Sequence, residues 1–523
     1  MYYLNTLNKQ YPEFIPPLTT SLEITSLING LKDSSPGLDG IHVKILKLSA
    51  TVLAPIISKL INLSFSVGIF PDRLKIAKII PVFKGGEHEE ISNYRPISIL
   101  NSISKIFERS MSNRLLEFLK LNNILSNCQF GFCKNSSPQL AITQLIDKIL
   151  QDLANGKYSV SIFLDLKKAF DTLDHNILLE KLQYYGIKNV YHKWFTSYLS
   201  NRKQCTIINN SVSDFSNLIT GVPQGSTLGP LLFLLYINDI VESSKILKFT
   251  LFADDTNITH SDLDINNRAT TVNTELKLIS TWLLSNKLSL NTDKTKYIVF
   301  TGNKIITNDI EIVICNTKIA KTSTMKYLGV YIDHKLTWRD HIDYVTNKIS
   351  KSNGILHKIK HLLPKETLTT LYYTLIYPYI QYCILVWGMA FNKTLNPLVI
   401  MQKRIIRLIE GAGYYAHTDP LFRSHGILKV HDVYHLESLK FVHSQLQADT
   451  LFSLTQASNI HTINTRHRTH LRPRFPRLEA QRRFVTYYAC MKWNELPDIM
   501  KQTNNKTTFK IKAKQYILHS YVT

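Results

Sequence analysis

The stretch Phe252-Ala253-Asp254-Asp255 constrains this chain more than any other. It lies between an apolar run, 247–251, and a short β-prone run, 256–259. Runs rich in Phe, Ile and Thr read as strands, and a compact Ala-Asp-Asp-Thr between two of them reads as the turn of a hairpin. Both acids then project from one rigid edge. Asp is also a favoured turn residue in its own right, so an ordinary acidic turn is the competing reading. What separates the two is whether further acids share the sheet.

A third acid follows a second strand-like run. Tyr158-Ser159-Val160-Ser161-Ile162-Phe163-Leu164 alternates early, ends fully apolar as a buried strand does, and delivers Asp165 at its C-terminal end. Leu166 to Asp171 come next. Asp174 reads as a helix N-cap, with Ile177, Leu178 and Leu182 on one face and Gly186 closing the helix. Asp165 and the Asp254-Asp255 pair can therefore meet on one sheet, where three carboxylates suffice to hold two magnesium ions. Magnesium takes oxygen ligands and keeps positions open for phosphate oxygens. In such sites the ions lie roughly 3.5–4 Å apart, one activating an attacking hydroxyl and the other steadying a leaving pyrophosphate. Between these acids runs Gly221-Val222-Pro223-Gln224-Gly225-Ser226-Thr227-Leu228-Gly229-Pro230, followed by the apolar stretch 231–237. Its glycines allow close backbone approach to a flat ligand or template. A loop leading into a buried helix is the alternative.

Read in order, Asn93-Tyr94-Arg95-Pro96-Ile97-Ser98, Phe163-Leu164-Asp165 with Ala169-Phe170-Asp171, the run 221–233, and Phe252-Ala253-Asp254-Asp255 resemble successive motifs of a reverse transcriptase, most closely those of non-LTR, jockey-like retrotransposons. Further matches are Ser35-Pro36-Gly37-Leu38-Asp39-Gly40-Ile41, Trp282 with Asn286-Lys287-Leu288, Asn291 with Lys294-Thr295, and Tyr327-Leu328-Gly329-Val330. Gln402-Lys403-Arg404 and Trp493-Asn494-Glu495-Leu496-Pro497 resemble the region after the polymerase in the same elements.

The resemblance implies an α+β, right-hand polymerase fold of fingers, palm and thumb, with an antiparallel palm sheet and a mainly helical C-terminal region. It implies an RNA-directed DNA polymerase with two Mg2+ (or Mn2+), acting on an RNA template, a DNA primer and dNTPs. Asp165, Asp254 and Asp255 match the metal-binding catalytic acids, and Leu166 adds a backbone carbonyl. Phe170 matches a steric gate against the ribose 2′-hydroxyl, a bulky ring where the extra oxygen would go. Lys84 and Arg95 match the cations that hold the incoming triphosphate, as a point charge and a bidentate fork; ordinary surface cations are the alternative. The insert Glu87-His88-Glu89-Glu90 separates them. Gln224 resembles the glutamine packed near nucleotide and template, and Lys294 the lysine that protonates the leaving pyrophosphate. A competing reading of the whole is an idle, truncated relic that only binds nucleic acid.

A formal charge of +23 over 523 residues favours a polyanionic partner. Six scattered cysteines without a CxxC pair suit a reducing compartment, nucleus or cytoplasm, and His461, His467, His470 and Cys490 fit no zinc-finger spacing. The first residues lack a signal peptide, and the apolar stretch 371–391, interrupted by Pro378 and Gln381, reads as a buried helical pair; no membrane segment is expected.

Four regions follow: 1–61 with the first fingers motif, a fingers and palm region at 62–333, a thumb-like helical region at 334–410, and a basic region at 411–523. Within the third, 338–363 reads helical with Ile342, Val345, Ile349 and Ile355 in phase. Gly411-Ala412-Gly413 reads as a linker. The last region interleaves Arg466, Arg468, Arg472, Arg474, Arg477, Arg482 and Arg483 with Phe475, Phe484, Tyr487 and Tyr488, either to hold phosphates and stack bases or as a solvated face. Complete elements of this family carry an endonuclease ahead of the polymerase. With the first motif so near residue 1, the expectation is a truncated copy or a separately encoded endonuclease, and a chain that polymerises without nicking DNA.

Overall fold

The structure, a computed structural model, describes residues 9–209, 211–302, 310–447 and 470–521. Two sheets carry the residues singled out above. In the first, β1 (Ile76–Phe83) and β2 (Tyr94–Leu100) form an antiparallel pair running from Ala77 opposite Leu100 to Phe83 opposite Tyr94. β3 (Tyr158–Leu164) belongs to the second sheet, whereas β4 (Arg202–Ile208) runs parallel to β1. β5 (Ser211–Val212) and β6 (Ser216–Leu218) both fold back on β4.

The second sheet adds β7 (Lys248–Phe252), β8 (Asp255–Asp262) and β9 (Lys296–Phe300). After the hairpin of β10 (Val313–Ile314) and β11 (Thr317–Lys318), β12 (Ala320–Lys321) joins its edge, giving the order β12-β9-β3-β8-β7. All neighbours there are antiparallel except β12 beside β9. A last hairpin pairs β13 (Thr324–Tyr327) with β14 (Val330–Asp333). Leu328 and Gly329 at its turn both have positive φ, the pattern of a type I′ turn.

β3 is central, and its loss of alternation has a cause. Val160, Ile162 and Leu164 face one apolar core, while Phe163 faces another. A strand buried on both faces has no polar face to alternate with. The first core collects the helices Ser21–Asn29, Ala50–Val67, Ser102–Leu121, His175–Tyr184 and Gly229–Ile237. Asp174 caps the fourth of these as expected, its carboxylate accepting from the Asn176 and Ile177 N–H groups.

The second core runs from the helix Pro138–Ala154 through β14 to the C-terminal helix Lys506–His519. Residues beyond Gly411 thus share apolar packing with those before it. Gly411, at φ +74°, closes the helix Asn392–Glu410 as a left-handed cap, a role in which glycine meets no Cβ penalty. The expected helix over 338–363 spans Arg339–Ile359. Ile342, Val345 and Ile349 are buried, but Leu356 continues the stripe one heptad after Ile349, and Ile355 is 52% exposed.

The stretch 371–391 is broken into parts of three helices, Lys365–Leu375, Tyr377–Gln381 and Ile384–Trp387, rather than a pair. Cys383 sits between the last two with φ +52°. Among the described residues one helix, Ala50–Val67, is long and apolar enough to cross a membrane by length and composition. Ala54, Ile57, Ile61 and Phe65 on it are packed into the first core.

Candidate active site

The β-ladder brings the three acids together. Leu164 pairs with Thr256, so the next residues in register across β3 and β8 are Asp165 and Asp255. Asp255 also closes the hairpin opposite Phe252, leaving only Ala253 and Asp254 as the turn. The expected turn Ala-Asp-Asp-Thr is therefore shorter than read, because Asp255 and Thr256 already belong to β8. Ala253 has φ +55°, a left-handed value that costs a non-glycine residue about 1–2 kcal/mol.

Three like charges at one strand end repel one another. Solvent reaches Asp254 and Asp255, yet the protein around them strips part of their hydration, and that desolvation is the largest cause of their raised pKa values. Asp255 is pushed up to about 6, with Asp254 and Asp165 adding repulsion. Asp254 is raised by the same desolvation and by Asp165, and drawn back by the positive charge of Arg95. The donor set is all carboxylate oxygen, which suits a hard divalent cation. Among the described residues, no group of three or more His, Cys, Asp or Glu side chains is gathered so as to hold a metal ion by protein ligands alone. An open set of carboxylates is what a magnesium ion shared with substrate phosphates requires.

Of the cations singled out in the sequence, Arg95 lies close enough to act on Asp254. Lys84 extends the β1–β2 ladder, its N–H donating to the Asn93 carbonyl at 2.8 Å, and Arg95 lies one residue into β2; both side chains are exposed. On the other flank, the Asn291 N–H donates to the Asp165 carbonyl at 2.7 Å, and the Asp165 N–H donates to the Thr295 hydroxyl at 3.3 Å. Lys294, exposed, sits in the loop clamped by these two bonds.

Residues 83–332, which include every site residue named so far, match the reverse transcriptase (RNA-dependent DNA polymerase) family. The chain carries a reverse transcriptase domain. It is similar to the probable RNA-directed DNA polymerase from transposon BS of Drosophila melanogaster, with 28% identity over 81% of this chain and 49% of that protein. The polymerase from transposon X-element of the same fly is 27% identical over 80% of this chain and 47% of its own length. That of mobile element jockey from Drosophila funebris is 27% identical over 76% and 44%. The chain spans about half the length of the curated relatives it matches.

Within the reverse transcriptase domain, Phe170 stacks on Phe233 with ring centroids 4.6 Å apart, and Phe132 meets its edge at 6.5 Å. Half-buried and braced on two sides, the ring is fixed in direction. The Gln224 side chain donates to the Asp171 carboxylate at 2.7 Å, and the Gln224 backbone carbonyl accepts from the Ser98 N–H at 2.7 Å. The glycines around it approach protein rather than an outside ligand. A Cβ on Gly221 would lie 2.6 Å from the Asp171 carbonyl oxygen, and one on Gly225 2.4 Å from that of Ser98. The loop does lead into a buried helix, Gly229–Ile237, as the alternative reading had it.

Two supporting residues escaped the sequence reading. Glu108, fully buried, accepts from the Thr227 N–H at 2.6 Å and so holds the Gln224 loop from below. Burial raises its pKa, with Arg202 opposing the shift. Gln129 supports the acid-bearing turn. Segment 128–130 lies parallel to β7, through the Phe130 N–H to the Leu251 carbonyl and the Leu251 N–H to the Cys128 carbonyl, both at 2.8 Å. The Gln129 amide oxygen then accepts from the Ala253 N–H at 3.1 Å and the Gly131 N–H at 2.7 Å. Gly131 is needed there, since a Cβ would stand 2.3 Å from the Ala253 nitrogen.

Beyond the domain, the arginine-rich tail divides. Arg483 lies 3.6 Å over the Phe391 ring and donates to the Met389 carbonyl, Phe484 is buried, and Tyr488 stacks on Tyr434. Arg472, Arg474, Arg477, Arg482 and Phe475 remain at the surface. Cys490 is buried with its thiol donating to the Thr486 carbonyl. Arg466, Arg468, His461 and His467 lie outside the described residues.

Proposed function

We propose that this chain is an RNA-directed DNA polymerase that extends a DNA primer on an RNA template with dNTPs, inside the cell in nucleus or cytoplasm. The observation that carries the reading is the register that sets Asp165 against Asp255 beside the Asp254 turn, with their mutual repulsion. In this reading the β12-β9-β3-β8-β7 sheet is the palm, the β2-β1-β4 sheet belongs to the fingers, and the helices of 334–410 form the thumb. The region 1–61 leads into the fingers, and 411–523 forms a basic helical extension.

Asp165, Asp254 and Asp255 would hold the divalent ions, with the Leu166 carbonyl as a further oxygen. When bound, two magnesium or manganese ions supply the charge that activates the primer 3′-hydroxyl and steadies the departing pyrophosphate. Lys84 and Arg95 hold the triphosphate, the first as a point charge and the second as a fork. Gln224, fixed by Asp171 and Ser98, lines the nucleotide position, and Phe170 fills the space a 2′-hydroxyl would need. Lys294 delivers a proton to the leaving pyrophosphate from the loop that clamps Asp165.

Primer extension on an RNA template tests the proposal. Asp254→Ala is expected to lower the rate by at least roughly 10³, about 4 kcal/mol of barrier. A mutant that extends as fast as the parent would sink the assignment.

A further inference from the structure

We propose that Arg472-Pro473-Arg474-Phe475-Pro476-Arg477 is a second nucleic-acid site, a ledge that holds an unpaired strand outside the catalytic cleft. The proposal rests on the polymerase reading only for the kind of partner; its geometry is independent of the acids. The segment is irregular, ends in a bend at Arg477 and lies just before the helix Glu479–Arg483. It is fixed from beneath. Leu471 is buried, exchanging hydrogen bonds with Asn494 at 2.9 and 3.0 Å, and Pro476 is buried at the other end. Arg474 donates to the Gln151 amide oxygen and Arg477 to that of Asn155, each at 3.3 Å. Each contact uses one of a guanidinium's five N–H donors, so most of the fork stays free.

What stands on this fixed backbone is an aromatic ring among cations. Phe475 is 84% exposed, and Arg472, Arg474 and Arg477 are exposed around it. The segment contains no acid. A solvated basic face needs charge but has no use for an exposed phenyl ring. Single-strand sites need both, because cations track phosphates while the ring stacks on a base. A duplex offers no free base face to Phe475, so the fit is to an unpaired strand. Two prolines restrict the backbone in advance, which lowers the ordering cost of binding.

The position separates the ledge from the catalytic site. Gln151 and Asn155 lie at the C-terminal end of the helix Pro138–Ala154, next to the start of β3. Asp165 follows the other end of that strand, whose seven residues span about 23 Å. A strand held on the ledge is therefore template or transcript beyond the paired region, not the paired region itself.

The test uses the full chain with its cleft first saturated by an unlabelled short hairpin primer–template. Binding of a labelled oligo-uridine RNA, and of its oligo-thymidine DNA counterpart, is then followed by fluorescence anisotropy across salt concentrations. Phe475→Ala is expected to weaken binding about tenfold, a typical loss for one base–aromatic stack. Arg472→Ala should flatten the log–log salt slope, by about 0.7 for the one phosphate no longer neutralised. Both side chains are exposed, so the fold should tolerate both variants. Weaker binding of either probe supports the ledge. Unchanged binding of both in Phe475→Ala overturns it, as does tighter binding of a labelled duplex through the same residues. Extension of the short hairpin should stay close to the parent's in both variants. A parent that cannot extend yet binds the probe through Phe475 would defeat the polymerase reading and leave the ledge standing.

Discussion

Replacing Gln129 with Leu isolates the support beneath the Ala253-Asp254 turn. Leu keeps the bulk and removes the acceptor, leaving the Ala253 and Gly131 N–H groups buried without the partner they now have at 3.1 and 2.7 Å. An unsatisfied buried donor costs about 1–3 kcal/mol. Of the two, the Ala253 bond bears on the site, because it restrains a residue held at φ +55°. If the turn relaxes by that one bond, Asp254 leaves its working position, and a barrier increase of about 1–3 kcal/mol means a fall of about 5- to 150-fold in kcat. Gln129→Glu should behave differently. The side-chain nitrogen of Gln129 has no protein partner, so replacing it with oxygen costs no hydrogen bond and keeps the acceptor. It does add a negative charge beside Asp254 and Asp255, raising their pKa values further. Steady-state primer extension over a pH series separates the two. Leu should lower the plateau without moving the acid limb, whereas Glu should hold the plateau and move the limb to higher pH. A Leu variant with parental kcat and an unaltered pH profile would refute the claim that this bond positions the acids.

Asp255, pushed up to about 6 in the metal-free fold, should impose that limb at limiting magnesium: activity falls as pH drops through about 6, because protons compete with the ion for the carboxylate, and holds above it. An initial-rate profile flat down to well below that value would contradict the shift. The same raised pKa means the metal-free fold binds this proton more tightly than the unfolded chain, so stability is lost as pH rises from the ordinary carboxylate range through about 6. Asp255→Asn should accordingly raise Tm in chelator at alkaline pH and reduce the further rise that magnesium gives the parent, both read by thermal unfolding. Phe170→Val should admit ribonucleotides. The ratio of dNTP to rNTP incorporation measures this, and an unchanged ratio would mean the ring, though braced by Phe233 and Phe132, faces elsewhere.

How far the sequence was legible depended on whether the partner of each residue was local. The β7–β8 hairpin is a local event, and its two acids announce themselves because charge at a strand end has few structural uses. Asp165 was legible for the same reason, and its meeting with Asp255 follows from ladder register once both strands exist. Gln129 was not. Its segment makes only an isolated parallel bridge to β7, more than 120 positions away, and a stretch that pairs through two or three bonds leaves no hydrophobic period to read. Glu108 escaped similarly: it sits on a helix whose apolar stripe is clear, but the N–H groups it accepts from, at Thr227 and Leu228, are brought to it by tertiary packing. The helix Arg339–Ile359 shows the limit of periodicity itself. Ile355 and Leu356 are equally apolar, and the heptad spacing from Ile349 decides which one faces inward.

The arginine-rich tail makes the same point for charge. By composition Arg483 and Arg472 are indistinguishable, yet one is half-buried, lying over Phe391 and donating to the Met389 carbonyl, and the other is exposed at the surface. Guanidinium groups pack on rings as readily as they bind phosphates, so a count of basic residues overstates the surface open to nucleic acid. What identifies an available site is the reverse combination, an aromatic ring left outside among cations on a backbone held from beneath. Among the described residues of the tail, the segment 472–477 meets that condition, whereas Phe484 and Tyr488, equally close to arginines in sequence, are already occupied by the core. The proposed polymerisation and the proposed strand holding thus draw on different physics: the first on carboxylates brought together by ladder register, the second on a ring and cations kept apart from the core.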